Sequence, residues 1–187
     1  MAKKDSLTQV VSESLKKSFD IDAFKKSKFL DQSVKFKPQK WIPLSKAFQD
    51  VLSIPGIPMG HITLLRGHSD TGKTTAMLEA AVAAQKMGIL PVFIVTEMKW
   101  NWEHAMQMGF EMEPVVDKET GEIIDYKGFF VYVDRGSLNT IEDVAAFVAD
   151  LLNEQAKGKL PFDLLFLWDS VGSVPCRLSV EIGRAHV

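Results

Sequence analysis

The sequence predicts an α/β domain whose sheet is mostly parallel and carries helices on both faces. Three observations support this fold class. Short apolar runs rich in β-branched residues alternate along the chain with longer segments of helical pattern, which is the order that βαβ units produce. The run at 164–168 is apolar throughout, as expected for a strand buried on both faces. At 187 residues and 46% hydrophobic content, the chain suits one such domain and a short appendage.

The first half of this domain is assigned from apolar spacing and from the residues that end helices. A short helix is expected over 45–52, and the prolines and glycines of 54–60 predict a turn before a strand over 61–66. An alanine-rich helix follows and ends near Gly88. A second buried strand covers 89–96, and a helix over 101–108 ends at Gly109.

The second half begins with a predicted hairpin, because Glu-Thr-Gly-Glu lies between β-branched pairs in 115–124. A strand is expected over 129–133. The helix expected over 140–155 places six apolar residues on one face: Ile141, Val144, Ala145, Val148, Leu151 and Leu152. The last predicted strand is 164–168.

A short helical segment and a basic linker are expected to precede the domain, in residues 1–43. Apolar residues recur close to helical spacing at Leu7, Val10, Val11, Leu15 and Phe19, and the following lysine-rich stretch contains Pro38 and Pro43. Residues 1–46 hold eleven lysines and five acidic residues, a charge of +6, which leaves −8 for the rest of a chain whose net charge is −2. This basic end could contact nucleic acid or an acidic surface, or only confer solubility.

The most specific motif lies between the first predicted strand and its helix. Residues 67–74 read Gly-His-Ser-Asp-Thr-Gly-Lys-Thr, which fits the phosphate-binding P-loop pattern G-x-x-x-x-G-K-[ST]. Gly67 and Gly72 allow a tight turn with inward N–H groups, and the following helix adds the positive end of its dipole. Lys73 can reach the β- and γ-phosphates, and the Thr74 hydroxyl can bind Mg²⁺. The alternative is a glycine turn that matches by chance.

Two acidic residues are expected at the carboxyl ends of buried strands, where ligands collect in open α/β sheets. Asp169 follows the apolar run 164–168 in the manner of a Walker B motif. It could hold Mg²⁺ through water or Thr74, or it could cap the next turn with Ser170. Glu97 follows the run 91–96. It could orient and deprotonate a water that attacks a γ-phosphate, or be a solvated loop acid.

These motifs and their surroundings resemble the RecA family core. Residues 56–62, Gly-Ile-Pro-Met-Gly-His-Ile, and the loop 67–75 are similar to the family's G-L-P-x-G-R-I and G-P-x-x-x-G-K-T-T. Residues 93–97 resemble the strand that ends in its catalytic glutamate, and the interval from Lys73 to Glu97 agrees. Residues 169–171, Asp-Ser-Val, resemble its Walker B sequence. The resemblance covers roughly 44–175, and the phage-encoded recombinases are the branch of the family that this sequence resembles most.

The resemblance implies a RecA-like P-loop ATPase core over 44–180 that binds ATP and Mg²⁺. Glu97 and Lys73 would be catalytic, and Thr74 and Asp169 would hold the metal. The nucleotide-binding residues would be Gly67, His68, Ser69, Asp70, Thr71, Gly72, Lys73, Thr74, Thr75, Asn101 and His104. The last two fall where the family places an aspartate and a tyrosine against the adenine, although His104 could instead be an exposed helix residue.

The chain departs from the family at several positions. His68 replaces a proline, and the hairpin around 119–122 looks like an insertion. Trp100 and Trp102 are unusual after the glutamate. They are expected in the core or an interface, with stacking on single-stranded bases as the alternative.

A RecA-type sheet needs a further strand after Walker B, between that strand and the one leading to the P-loop. Neither that strand, nor the mobile DNA-contacting loops, nor a polar sensor residue can be recognised here. We expect unpaired backbone groups and an inactive, aggregation-prone fragment. Residues 181–187, Glu-Ile-Gly-Arg-Ala-His-Val, are expected to be a non-native tail, because their codons can be written to match a sequencing-library adapter. The native protein is then expected to continue past Val180.

Composition and motifs together define the expected function. One cysteine, Cys176, excludes an internal disulfide, and the absence of a membrane-length apolar run or secretion signal favours a cytoplasmic protein, in the host cytoplasm if viral, with no membrane partner. The resemblance implies an ATP-hydrolysing recombinase that binds single-stranded DNA as a self-associated filament in DNA recombination and repair. The segment 5–19 resembles the family's subunit-docking element in position, or it packs on its own core.

Two other functions remain open at this point. A ring helicase has the same core fold, but its usual partner domain is larger than the N-terminal extension here. A regulatory or scaffold ATPase would assemble without exchanging strands.

Overall fold

The computed structural model describes residues 38–97 and 100–184, without the side chains of 181–184. Two units are distinguished by their internal contacts, Met1–Pro38 and Gln39–Val187. The helix and most of the linker predicted for the N-terminal region lie outside the described residues. The described helices and strands lie in the second unit.

The described elements follow one another in this order: β1 Trp41–Pro43, α1 Lys46–Leu52, β2 Gly56–Pro58, α2 Lys73–Lys86, β3 Leu90–Val95, α3 Trp102–Gln107, β4 Glu113–Val116, β5 Ile123–Lys127, β6 Val131–Asp134, α4 Ile141–Ala156, β7 Leu164–Asp169, a 3₁₀ turn Val171–Ser173 and α5 Arg177–Arg184. None of the described helices combines the length and the apolar character needed to cross a bilayer.

The main sheet is parallel and has β3 at its centre, with β6 on one side and β7 on the other. Every residue of β3 is buried, as expected for a central strand covered on both faces. Val95 lies opposite Asp169 in the register. The residues that follow β3 therefore reach the same edge of the sheet as the end of β7.

Helices cover both faces of this sheet, and the predicted α/β class is confirmed. Phe93, Val95 and Leu167 pack with residues of α2, including Leu78 and Ala81. On the opposite face, alternate residues of the same strands pack with residues of α4 and the segment before it; they include Ile94, Phe166 and Trp168 against Leu138 and Val144. Side chains of successive strand residues point to opposite faces, so each strand supplies both cores.

The predicted strand over 61–66 is wrong for this structure. No strand is assigned to these residues, and Ile62 and Leu64 are 101% and 75% exposed. Among the described strands β7 pairs only with β3, so its second edge has no ladder partner there. An extended segment without a ladder partner cannot become part of a sheet.

Before the P-loop, a small antiparallel pair forms that the sequence did not predict. Residues of β1, placed by the sequence in the basic linker, pair with β2, placed in a turn. Ile42 is buried against α2 residues Ala80 and Ala84. At Gly56 a Cβ would lie 2.0 Å from the Ile42 carbonyl oxygen, so only glycine fits this close backbone approach.

The predicted hairpin and the predicted helix over 140–155 are both present, as β4–β5 and α4. The α4 N-terminus is fixed by a capping box. The Thr140 side chain accepts the Asp143 backbone N–H, and the Asp143 carboxylate accepts the Thr140 N–H. Such reciprocal bonds satisfy two otherwise unpaired donors.

Candidate functional site

The glycine-rich loop bends back on itself at the N-terminus of α2. Gly72 is the helix N-cap and has φ +84°, a conformation that strains other residues. A Cβ on Gly67 would meet the Thr71 hydroxyl at 2.9 Å. The His68 carbonyl accepts the Thr71 hydroxyl at 2.8 Å and the Lys73 ammonium at 2.5 Å. Residues 67–71 are exposed, so solvent reaches the loop, and the Lys73 side chain is folded back onto it.

The first residue pair brought together from distant parts of the chain is Thr74 and Asp169. The Thr74 hydroxyl donates to Asp169 Oδ2 at 3.0 Å, although 95 residues separate them. Thr74 lies in the first turn of α2 and Asp169 ends β7, so the contact joins the glycine-rich loop to the sheet edge. Hydroxyl and carboxylate oxygens are ligands that Mg²⁺ accepts.

Within the described residues, no group of three or more His, Cys, Asp or Glu side chains could hold a metal ion. The Thr74–Asp169 pair by itself supplies few ligands. A metal here would therefore need further oxygens from phosphate or water, which is the usual way proteins bind Mg²⁺.

Glu97 lies at the same sheet edge as Asp169. The backbone N–H groups of Thr96 and Glu97 both donate to the Asp169 carbonyl, at 2.9 and 3.2 Å. The Ser170 hydroxyl donates to Glu97 Oε1 at 2.6 Å. The structure thus brings Glu97 next to the residue that follows Asp169, and the Glu97 side chain is exposed to solvent. Thr74, Asp169 and Glu97 are thus arranged around one edge, while the Lys73 side chain contacts the loop.

Thr96 is a polar residue of this region that the sequence reasoning missed. Its side chain is completely buried, yet its hydroxyl oxygen has partners on three sides. Trp168 Nε1 lies at 3.1 Å, Ser173 Oγ at 2.5 Å and the Ser170 carbonyl oxygen at 2.9 Å. The available signal was a threonine at the end of an otherwise apolar buried run, directly before Glu97.

Asn101 and His104, predicted to contact adenine, lie at the N-terminus of α3. The Asn101 side-chain oxygen accepts the His104 backbone N–H at 3.0 Å, which makes Asn101 the N-cap. Both residues are exposed. The Asn101 amide oxygen is used for capping, so a ligand would be contacted by the Asn101 NH₂ group and the His104 imidazole. The adenine-binding role of both residues stays a prediction.

Trp100 and Trp102 pack on the core around Phe93. The ring centroid of Phe93 lies 5.1 Å from that of Trp100 and 6.0 Å from that of Trp102. The centroids of Trp102 and Phe130 lie 5.4 Å apart. Both indoles are partly buried against the α2 face of the sheet. The core interpretation of these residues is confirmed.

A model of the RecA N-terminal domain matches residues 11–154. The chain therefore belongs to the RecA family, and the match covers the glycine-rich loop and the strands β3 and β6. Among curated proteins, Protein RecA of Arthrobacter sp. is 32% identical over 120 residues, which are 59% of this chain and 33% of that protein. Protein RecA of Paenarthrobacter aurescens is 29% identical over 153 residues, 76% of this chain and 43% of that protein. The chain thus spans between a third and somewhat less than half of the length of these relatives.

Proposed function

We propose that this chain is the nucleotide-binding part of an ATP-dependent DNA recombinase. The observation that carries the proposal is the hydrogen bond between Thr74 and Asp169. It joins the end of the glycine-rich loop to the acidic end of β7, which is the juxtaposition that a Mg²⁺–triphosphate site requires. Family membership supplies the recombinase class, because the relatives bear the name RecA.

The loop residues would bind the triphosphate. The backbone N–H groups of 67–72 and the α2 N-terminus favour an anion, and the Lys73 ammonium would exchange the His68 carbonyl for phosphate oxygens. Thr75 follows in the same first turn. Asn101 and His104 would flank the base, with the imidazole as a stacking surface.

Thr74 and Asp169 would hold Mg²⁺, and their oxygen donors fit that ion. The metal would neutralise charge on the phosphates. At the sheet edge, Asp169 Oδ2 already accepts a hydrogen bond from the Thr74 hydroxyl.

Glu97 would act as the base. Its carboxylate is exposed, and among the described residues Ser170 donates to Oε1. Oε2 would accept a proton from water. A positioned carboxylate of this kind contributes about 10²–10⁴-fold to a rate.

The DNA filament, the docking role of residues 1–43 and the ATPase core over 44–180 rest on family resemblance. The structure offers one supporting feature. The outer edge of β7 and the exposed segment around Ile62 and Leu64 would accept one parallel strand from a later part of the complete protein. With that strand in place, backbone groups on both sides would be paired.

The proposal is tested by ATP hydrolysis of the complete protein, with and without single-stranded DNA. Stimulation by DNA is expected for a recombinase, whereas unchanged hydrolysis would favour the regulatory ATPase. Glu97→Gln should bind ATP like the parent and turn over about 10²–10⁴-fold more slowly. Hydrolysis at the parent rate by Glu97→Gln would remove Glu97 from the mechanism.

A further inference from the structure

We infer that the buried hydroxyl of Thr96 is a positioning group that fixes Glu97 relative to Asp169. The inference deepens the proposed ATPase function and rests on it. Thr96 is not expected to contact nucleotide. It acts through the turn 169–170, which carries one acidic residue and hydrogen-bonds to the other.

The sheet separates Thr96 from the nucleotide side. Trp168, whose indole N–H reaches the Thr96 hydroxyl, packs in the cluster of Ile94 and Val144 on the α4 face. Asp169 contacts Thr74 of α2, and α2 covers the opposite face. The Thr96 hydroxyl therefore lies behind the acidic edge, on the side away from the glycine-rich loop.

Proton counting shows that the Thr96 hydroxyl can use its whole bonding capacity. A hydroxyl donates once and accepts twice. Thr96 can donate to the Ser170 carbonyl and accept from Trp168 Nε1 and Ser173 Oγ. Ser173 has a second acceptor, the Ser170 carbonyl at 2.7 Å, and its single proton serves one of the two at a time. A fully satisfied buried hydroxyl is rigid, whereas an unsatisfied one is costly.

The network ends at the proposed catalytic carboxylate. Trp168 and Ser173 hold Thr96, Thr96 holds the Ser170 backbone, and the Ser170 side chain holds Glu97 Oε1 at 2.6 Å. The same strand end is also tied by the two N–H groups that share the Asp169 carbonyl. If the Thr96 hydroxyl is removed, the Ser170 carbonyl loses one of three donors and keeps the Ser173 hydroxyl and backbone N–H. The Trp168 indole N–H also loses its acceptor, so the turn that holds Glu97 would be fixed less firmly.

The chemistry of the position supports a specific need for a hydroxyl. The preceding residues of β3 are apolar and buried, so valine, with nearly the same shape, would fill the Thr96 site without a polar group to satisfy. Threonine there is favourable only because its partners exist. Two of those partners, Ser170 and Ser173, come from the turn beside the acidic edge, and Trp168 comes from the end of β7.

The test compares steady-state ATP hydrolysis by the complete protein and its variants. Thr96→Val should lower kcat about 10–100-fold, the scale that a misplacement of about 1 Å produces, with KM for ATP unchanged. Thr96→Ser keeps the hydroxyl and should retain kcat within about 3-fold, since the methyl group makes no hydrogen bond. Trp168→Phe removes one donor and keeps an aromatic ring, so it should lower kcat less than Thr96→Val does. It also serves as the second probe if Thr96→Val does not fold.

Two comparisons separate positioning from lost stability. Thr140→Val removes a second buried threonine hydroxyl, in the α4 capping box, and should lower Tm while leaving kcat unchanged. In a Glu97→Gln background, Thr96→Val should cause no further loss of kcat, because the residue through which it acts is already disabled.

The possible outcomes are distinguishable. If Thr96→Val and Trp168→Phe both keep the parent kcat while Glu97→Gln is slow, the positioning role is overturned and the proposed function stands. An equal loss of kcat from Thr96→Val in both backgrounds would do the same, because it would indicate a general structural effect. Parent-like turnover by Glu97→Gln would overturn the proposed function and this inference with it.

Discussion

The strand β3 and the segment 61–66 start from the same kind of sequence and reach opposite structures. Both contain a short, mostly apolar run, 62–65 in the segment and 90–95 in β3, and the sequence predicts both as strands. In β3 every residue is buried and both edges are paired, whereas Ile62 and Leu64 remain exposed and no strand forms. Local pattern therefore specifies a candidate strand, and neighbouring strands decide whether it becomes one.

The two parts of the candidate site also differ in whether they are built on paired strands. Its acidic edge is built on the ladder between β3 and β7 and is held by backbone and buried side-chain bonds. The glycine-rich loop follows the unpaired segment and is joined to that edge through α2 and the Thr74–Asp169 contact. Substitutions in the buried sheet core should therefore cost more unfolding free energy than substitutions in the segment 61–66.

Phe93→Ala should destabilise the chain most. Phe93 is fully buried and contacts four aromatic rings, with centroids between 5.1 and 6.5 Å away. Removing its ring should cost about 3–5 kcal/mol of unfolding free energy, read from urea denaturation. Phe162→Ala is the control, because Phe162 is 38% exposed and should cost clearly less. Equal losses for the two variants would contradict the assignment of Phe93 to the core.

Thr140→Ala should have an intermediate effect. It removes the side-chain acceptor of the capping box at α4 and should cost about 1 kcal/mol. Thr120→Ala, in the exposed hairpin turn, is the comparison and should stay within about 0.5 kcal/mol of the parent. If Thr140→Ala also stays within about 0.5 kcal/mol of the parent, the capping box does not stabilise α4 in solution.

The capping box also predicts a pH dependence. Hydrogen bonds, first of all from Thr140, lower the folded-state pKa of Asp143 from its usual value of 3.8. A lowered pKa stabilises the folded state above about pH 3.8 and ceases to do so as pH falls through the folded value. The difference in unfolding free energy between the parent and Asp143→Asn should therefore be constant between about pH 5 and about pH 7. It should shrink in more acidic solution. A difference that grows on acidification would have the wrong sign.

Leu64→Ala should have the smallest effect in this chain. Its side chain is 75% exposed, so the free energy of unfolding should change by less than about 0.5 kcal/mol. Leu78→Ala, at a position 1% exposed in α2, should cost about 2–5 kcal/mol. In the complete protein, the proposed additional strand would cover Leu64, and the loss at Leu64 should rise. If the loss stays near zero there, that strand does not cover this segment.

Local pattern was enough for β3, β7, α2, α4 and the hairpin, because each has its own periodicity, cap or turn residues. It also placed Asp169 and Glu97 at one sheet edge, since parallel strands share their carboxyl ends. It failed where the structure depends on distant partners. β1 pairs with β2 through the close approach of Ile42 and Gly56, and the Thr96 bonds span 72–77 residues.

The central claim is that the Thr74–Asp169 pair forms the metal part of a nucleotide site. The direct measurement is the affinity of the complete protein for ATP, titrated with and without Mg²⁺, for the parent and for Asp169→Asn. The parent should bind ATP more tightly when Mg²⁺ is present, and Asp169→Asn should lose most of that gain, with similar affinities in the absence of the metal. If Asp169→Asn gains as much from Mg²⁺ as the parent does, Asp169 does not hold the metal and the account of the site is contradicted.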